Sequence, residues 1–272
     1  MGYIELKNVS FGYSKKTQLF TNLSLSFNLG EQIAIIGRNG AGKTTLVKLI
    51  IGILNPLHGS IEISNENIRK KSIADIATKI GFVFQNPNQM LFANTVEKEL
   101  ELSLQKFDFS TEIKKQKITT ILEFLDMISF KDSNPRILSR GEKQKIAIAT
   151  VLIQEPDAII LDEPFSGIDM TQRLVIANYL NELHKQGKLI ILITHNLDFV
   201  AKYCSRIIGL KNGQLIFDTS TINFFTNQDN LIKLNLEQTN YLSLIYSLRK
   251  YGLPPEIIRS QELVNYFKKL HG

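Results

Sequence analysis

The sequence predicts an α/β fold: a mixed sheet core with an antiparallel β subdomain, an inserted helical subdomain and a small helical C-terminal domain. Three observations carry this. From Tyr3 to about Phe217, short β-branched runs alternate with amphipathic stretches, the pattern of strands joined by helices. Residues 94–154 differ, holding helix-period segments with no convincing strand between them. Beyond Asp218 the chain turns helix-like and polar and is broken by Pro254-Pro255. The expected division is 1–217, with the insertion at about 94–154, and 218–272.

Each element has its own signal. Tyr3 to Val9 alternates like a strand, and 19–27 supplies an antiparallel companion. Ile33-Ala34-Ile35-Ile36 is continuously apolar, as a strand buried on both faces must be. Leu46, Val47, Leu49 and Ile50 then recur at helical spacing. Strands follow at 60–63 and 80–84, and helices at Val96–Leu104, Glu112–Met127 and Gly141–Ile153. Further strands are expected at 158–162, 189–193, 206–210 and 214–217. In the last segment Leu242, Ile245, Tyr246 and Leu248, then Leu263, Val264 and Phe267, can form one apolar face.

Between the apolar run at 33–36 and the helix after it lies Gly37-Arg38-Asn39-Gly40-Ala41-Gly42-Lys43-Thr44. This satisfies the phosphate-loop pattern GxxxxGK[ST], which arises by chance roughly once in a hundred chains of this length. Triphosphate binding needs backbone NH groups crowded around oxygens, an ammonium at the terminal phosphates and a hydroxyl for Mg2+. Gly40, Gly42, Lys43 and Thr44 supply them, with Asn39, Ala41 and Thr45 completing the expected cradle. The following helix points its N-terminal dipole at the same place.

Hydrolysis also needs a carboxylate to hold Mg2+ and a base beside the attacking water. Ala158 to Leu161 forms an apolar strand that carries Asp162 and Glu163 to its carboxyl end, where α/β sheets place ligands. His195, after the strand 189–193, adds an imidazole on the same sheet edge for contact with the γ-phosphate.

Bulk composition narrows the functional classes. The chain has 272 residues, 43% of them hydrophobic, enough for one large core and an appendage. No window approaches the roughly 18 consecutive apolar residues of a membrane span. One cysteine, Cys204, excludes an internal disulfide, and the four histidines show no metal-ligand spacing. The net charge of +6 suits an anionic partner, whether nucleotide, the inner membrane face or nucleic acid, and charge alone does not choose among them; the basic residues are dispersed, with no aromatic-interleaved stripe. No signal-peptide segment precedes the first strand, which leads to the expectation of a cytoplasmic protein.

Taken in order, the loop at 37–44, Gln85 after the strand 80–84, Leu138-Ser139-Arg140-Gly141-Glu142, Asp162-Glu163, Ser166-Gly167-Ile168-Asp169 and His195 resemble the ATP-binding cassette (ABC) ATPases. The resemblance covers about residues 3–217 and implies a phosphate-loop NTPase of ABC type that binds ATP and Mg2+. It implies that Tyr13 stacks on adenine, that Thr44, Gln85 and Asp162 serve Mg2+, and that Glu163 is the catalytic base. It also implies that the signature Ser139, Arg140, Gly141 and Glu142 faces the nucleotide of a second ABC ATPase subunit, identical or related, with Asp169 at the dimer contact. The family usually carries Leu-Ser-Gly-Gly-Gln, so Arg140 and Glu142 are departures that bear on the strength of the composite site.

Phe84-Gln85-Asn86-Pro87-Asn88-Gln89-Met90-Leu91-Phe92 followed by Thr95-Val96-Glu97 is similar to the energy-coupling-factor importers of vitamins and transition-metal ions, as is the short C-terminal domain. That resemblance implies a transmembrane coupling subunit, a membrane substrate-binding subunit and a place on the cytoplasmic face of the cell membrane. Residues 86–100 would form a groove for a helix of the coupling subunit, with Leu91 and Phe92 as its floor. Two alternatives stay open: an ATPase of another ABC importer or exporter class, and a soluble ABC ATPase acting on nucleic acid. The second usually brings a long coiled coil or a paired cassette, neither of which is present in this chain.

Overall fold

The computed structural model describes residues 2–14 and 17–271. Its centre is a six-stranded sheet of β3 (Gln32–Ile36), β6 (Ile80–Val83), β7 (Ala158–Asp162), β8 (Leu189–Ile193), β9 (Arg206–Lys211) and β10 (Gln214–Ser220), in the order β10-β9-β3-β8-β7-β6. All neighbours are parallel except β9 and β10. Every residue of β3, β7 and β8 is buried, which is why these segments read as unbroken apolar runs rather than alternating ones. The carboxyl ends of β3, β6, β7 and β8 lie along one edge of this sheet, and the chain places the phosphate loop, Gln85, Asp162-Glu163 and Thr194-His195 there.

A second, antiparallel sheet has the order β2-β1-β4-β5, from β1 (Ile4–Phe11), β2 (Phe20–Phe27), β4 (His58–Ile63) and β5 (Glu66–Asn67). The strand β5 was not among those expected. It is two residues long, and the turn before it places Ser64 and Asn65 at φ 52 and 64, the paired positive φ of a tight hairpin. Between the sheets lies α1 (Lys43–Ile50), whose Leu46, Val47, Leu49 and Ile50 join one apolar cluster with both. The amphipathic stretches between strands form α2 (Ile73–Lys79), α6 (Met170–Lys185) and α7 (Leu197–Tyr203).

The inserted region holds α3 (Val96–Ser103), α4 (Thr111–Phe124) and α5 (Arg140–Leu152) with no strand among them. Most helix boundaries here differ from expectation by one residue or a few, and two of the shifts have clear local reasons. Helix α4 stops short of Met127 because Asp126 turns to φ 54. Helix α5 starts one residue early because Ser139 and Glu142 form a capping box.

After β10 come α8 (Thr221–Thr226), α9 (Asp229–Lys233), α10 (Asn240–Arg249) and α11 (Ser260–His271). Phe224, Phe225, Leu231, Leu234, Leu242 and Ile258 are buried in the same cluster as the central sheet and α5. The expected single apolar face divides in two. Leu242 and Ile245 are buried, whereas Val264 and Phe267 stay exposed on α11. Arg206 ties the layers together: its guanidinium donates two hydrogen bonds to Asp218, at 2.7 and 2.8 Å, and also donates to both carboxylate oxygens of Glu31 and to the Ser26 carbonyl.

Candidate functional site

The phosphate loop leaves β3 and enters α1 through Gly42, which caps the helix at φ 104 with no side-chain bond. A Cβ there would stand 2.9 Å from Phe20 Cζ and force an unfavourable backbone, so only glycine permits this entry. The loop folds over Lys43, whose ammonium donates to the carbonyls of Gly37 (2.7 Å) and Arg38 (3.0 Å). Burial pulls the Lys43 pKa down, opposed by the charges of Glu163 and Asp162. From the neighbouring turn, Gly213 N–H donates to Ala41 O at 3.0 Å and supports the loop from behind.

Thr44, beside Lys43, donates to Asp162 Oδ2 at 2.8 Å across 118 positions of sequence. A threonine hydroxyl paired with a carboxylate is an oxygen set suited to Mg2+, a cation that leaves its remaining positions to waters and phosphate oxygens. The residues present therefore fit Mg2+ together with a nucleotide. Among the described residues no three His, Cys, Asp or Glu side chains cluster as an independent metal site.

Asp162 is buried, and that burial raises its pKa; the Thr44 hydrogen bond and the Lys43 charge act against the rise. A carboxyl with a folded pKa above its unfolded value adds stability below the unfolded pKa and loses it as pH rises through the folded one. Asp162→Asn is thus expected to raise the melting temperature of the nucleotide-free protein at neutral pH and to flatten its acid-side pH dependence. The same variant should shrink the stabilisation given by Mg·ATP. Thermal unfolding against pH, with and without Mg·ATP, reads both; a lower melting temperature for the asparagine protein would remove the buried-charge account.

Glu163 follows directly and sits in the left-handed region at φ 47, a conformation costing on the order of 1–2 kcal/mol for a residue with a Cβ. Its amide donates to Ile193 O at 2.8 Å, locking the backbone to β8. The carboxylate is held by the residues after β8. His195 N–H donates to Oε1 at 3.0 Å, His195 Nδ1 lies 2.7 Å from the same oxygen, and Thr194 Oγ1 donates to Oε2 at 3.3 Å. The imidazole, expected at the γ-phosphate, lies against the Glu163 carboxylate.

One cavity of about 430 Å3 brings together Tyr13, Asn39, Gly40, Gly42, Lys43, Thr44, Thr45, Gln85, Asp162 and Glu163. Ala41 and His195 line an adjoining space of about 530 Å3 with Arg38 and Lys211. Leu19 also lines the first cavity; neither it nor Lys211 is expected from the sequence, because nothing local marks a leucine or a dispersed cation. Ser139, Arg140, Gly141, Glu142 and Asp169 line neither cavity. They gather instead on their own patch. A Cβ on Gly141 would meet Gly167 O at 2.3 Å, so α5 and the loop 166–169 pack backbone to backbone. Glu142 accepts from Ser139 N–H at 2.7 Å, and hydrogen bonding with the Ser139 side chain, then with its backbone, lowers the Glu142 pKa. The glutamate departure in the signature therefore serves as a helix cap. Asp169 caps α6, accepting from Gln172 N–H at 3.0 Å.

The sequence profile of the ABC transporter family matches residues 20–166. The chain belongs to this family. As an ABC transporter ATP-binding domain it is an ATPase that uses ATP and Mg2+. It is 36% identical over 259 residues to an ABC transporter ATP-binding protein of Pyrococcus furiosus, covering 95% of this chain and 96% of that one. Against a Methanosarcina mazei ABC transporter ATP-binding protein it is 31% identical over 269 residues, covering 98% of this chain and 46% of the other. The chain thus spans about half the length of several relatives. Among solved structures, cbiO1 of Clostridium perfringens, described as part of the ABC transporter complex cbiONQ, superposes with a TM-score of 0.73 at 30% identity, covering 90% of this chain and 99% of that one. The ATP-binding cassette MJ0796, a dimer bound to ADP and Pi, superposes with a TM-score of 0.73 at 27% identity, covering 80% and 98%.

Proposed function

We propose that this ABC ATPase pairs with a second cassette around two ATP molecules and drives a membrane importer of the energy-coupling-factor type for a vitamin or transition-metal ion. Within this reading, Lys43 neutralises the terminal phosphates, Thr44, Gln85 and Asp162 hold Mg2+, and Tyr13 carries the adenine. Bound Mg2+ supplies charge neutralisation for phosphoryl transfer to water. Glu163, aimed by Thr194 and His195, accepts the proton of the attacking water. Pairing is supported by the patch at 139–142 and 166–169 lying apart from its own chain's nucleotide cavity. Ile137 (79% exposed) and Met170 (68% exposed) flank that patch, apolar surface of the kind a partner covers. The relatives of about twice this length have room for a second cassette.

The observation that carries the transport reading is a groove of about 330 Å3 lined by Ile51, Ile73, Phe84, Gln89, Met90 and Phe92 among others. Phe92 is 68% exposed on its rim, whereas Leu91 is buried in the core and forms no floor. The buried Glu99 fixes this segment by accepting from Phe92 N–H at 2.6 Å and Ala93 N–H at 2.7 Å. A rigid apolar groove beside the hydrolytic sheet suits an amphipathic helix of a coupling subunit. Among the described residues no helix is long and apolar enough to cross a membrane. The proposed place is the cytoplasmic face of the cell membrane, with no nucleic acid partner.

Mass measurement of the assembly purified from membranes is the test. A second cassette, a transmembrane coupling subunit and a membrane substrate-binding subunit are the expected companions. Recovery with RNA or ribosomal proteins and no membrane protein would overturn the proposal.

A further inference from the structure

A third cavity, of about 270 Å3, shares no lining residue with the two spaces around the phosphate loop. It lies where the C-terminal segment meets the first turn of α6 and the length of α7, and Tyr241 of α10 and Ile258 and Arg259, just before α11, complete it. Part of its wall is aromatic: the Phe199 ring packs against Phe165, with centroids 4.7 Å apart, and against Tyr203 at 4.5 Å. Among the described residues the lining also holds three cations, Arg173, Lys202 and Arg259, against one carboxylate, Asp198. That carboxylate accepts from the Thr239 hydroxyl, and Arg259 is paired with Glu262 at 3.3 Å. Arg173 donates from Nε to Ile168 O at 2.6 Å, Lys202 stands 4.9 Å from the Tyr203 ring centroid, and neither joins an ion pair among the described residues. The buried hydroxyl oxygens of Tyr203 and Tyr241 also have no hydrogen-bond partner among these residues, and a buried donor without an acceptor is costly.

We propose that this cavity is a binding site for a small amphipathic carboxylate, whose apolar body lies on Phe165, Leu174 and Phe199 while its charge meets Arg173 and Lys202. An apolar wall with a few convergent polar groups is the usual make-up of a small-molecule cavity, and this volume falls at the low end of their range of about 300 to 1,000 Å3. A neutral apolar molecule gains nothing from the two cations, and inorganic phosphate gains nothing from the aromatic wall. A molecule with both parts uses both, and its anionic oxygens form charge-assisted bonds stronger than neutral ones. The site stands apart from the nucleotide cavity and from the groove at Phe92, so its occupancy does not depend on a membrane partner.

The methionines supply the reporters: Met170 lines this cavity, Met90 lines the groove at Phe92, and Met127 is buried in the core. NMR titration of the full chain, labelled at the methionine methyls, with 4-phenylbutyrate is expected to move the Met170 resonance to saturation and to leave those of Met90 and Met127 in place. 4-Phenylbutyramide has the same body without the charge and should bind at least about fivefold more weakly. Lys202→Gln should weaken the carboxylate about 3- to 10-fold and the amide by less than about twofold, since only the charged ligand loses a partner. Leu174→Trp, on the exposed side of α6, should fill the cavity and abolish the Met170 shift, with an unmoved Met127 resonance showing that the core is intact. Equal binding of acid and amide, parallel movement of Met90, or native affinity in Leu174→Trp would overturn the site. A Met170 resonance that shifts with protein concentration alone would give the cavity to a second copy of the chain and overturn it as well.

Discussion

Glu163→Gln is expected to lower ATP turnover by about 10²- to 10⁴-fold, the range spanned by loss of a positioned general base. The substitution is nearly isosteric, and its amide oxygen can still accept from the His195 backbone N–H that now donates to Oε1. What it removes is the negative charge and the basic oxygen beside the attacking water. ATP affinity should stay close to native, so the variant should accumulate as an ATP-bound pair of cassettes. Phosphate release and size measurement in Mg·ATP check both parts. Turnover within about tenfold of native would take Glu163 out of the base role.

Lys43→Ala is expected to weaken Mg·ATP binding by more than about 100-fold and to leave no measurable hydrolysis. The ammonium does two things here. It folds the loop by donating to Gly37 O and Arg38 O, and it is the cation that the terminal phosphates would meet. Burial already depresses its pKa, with Glu163 and Asp162 opposing that, so the site holds a charge it has partly desolvated in advance. An alanine leaves two loop carbonyls without this donor and the phosphates without their cation, a charge-assisted loss larger than that of a neutral hydrogen bond. Titration calorimetry reads the affinity, and an unchanged circular dichroism spectrum separates it from unfolding. Retained binding within about tenfold would assign phosphate recognition to the backbone alone.

Much of this was legible in the sequence, because the chemistry is local where the chain is contiguous. A strand, a glycine loop, a lysine and a helix in succession can only place NH groups and an ammonium at one point. The same holds for an apolar strand ending in Asp162-Glu163. Strands buried on both faces announced themselves through unbroken Ile and Leu runs. The two-residue strand at Glu66–Asn67 was hidden, since it is too short for periodicity and its Ser64-Asn65 turn lacks glycine. The role of Glu142 becomes plain in the closed capping box with Ser139, a place that the family's usual glutamine can fill as well.

By itself, then, the sequence determined the nucleotide loop, the acidic strand end, the order of the ABC motifs and the run of strands and helices, all of which depend on neighbours within a few residues. Tertiary structure alone decided that Thr44 bonds Asp162, that Thr194 and His195 orient Glu163, that Tyr13 leans on Thr45, and that Gly141 presses on Gly167. It also decided that part of the C-terminal apolar face fills the core while Val264 and Phe267 stay uncovered. The physical reason is strand order. Which strand ends share an edge follows from the packing of the β10-β9-β3-β8-β7-β6 sheet, and no local periodicity encodes that arrangement.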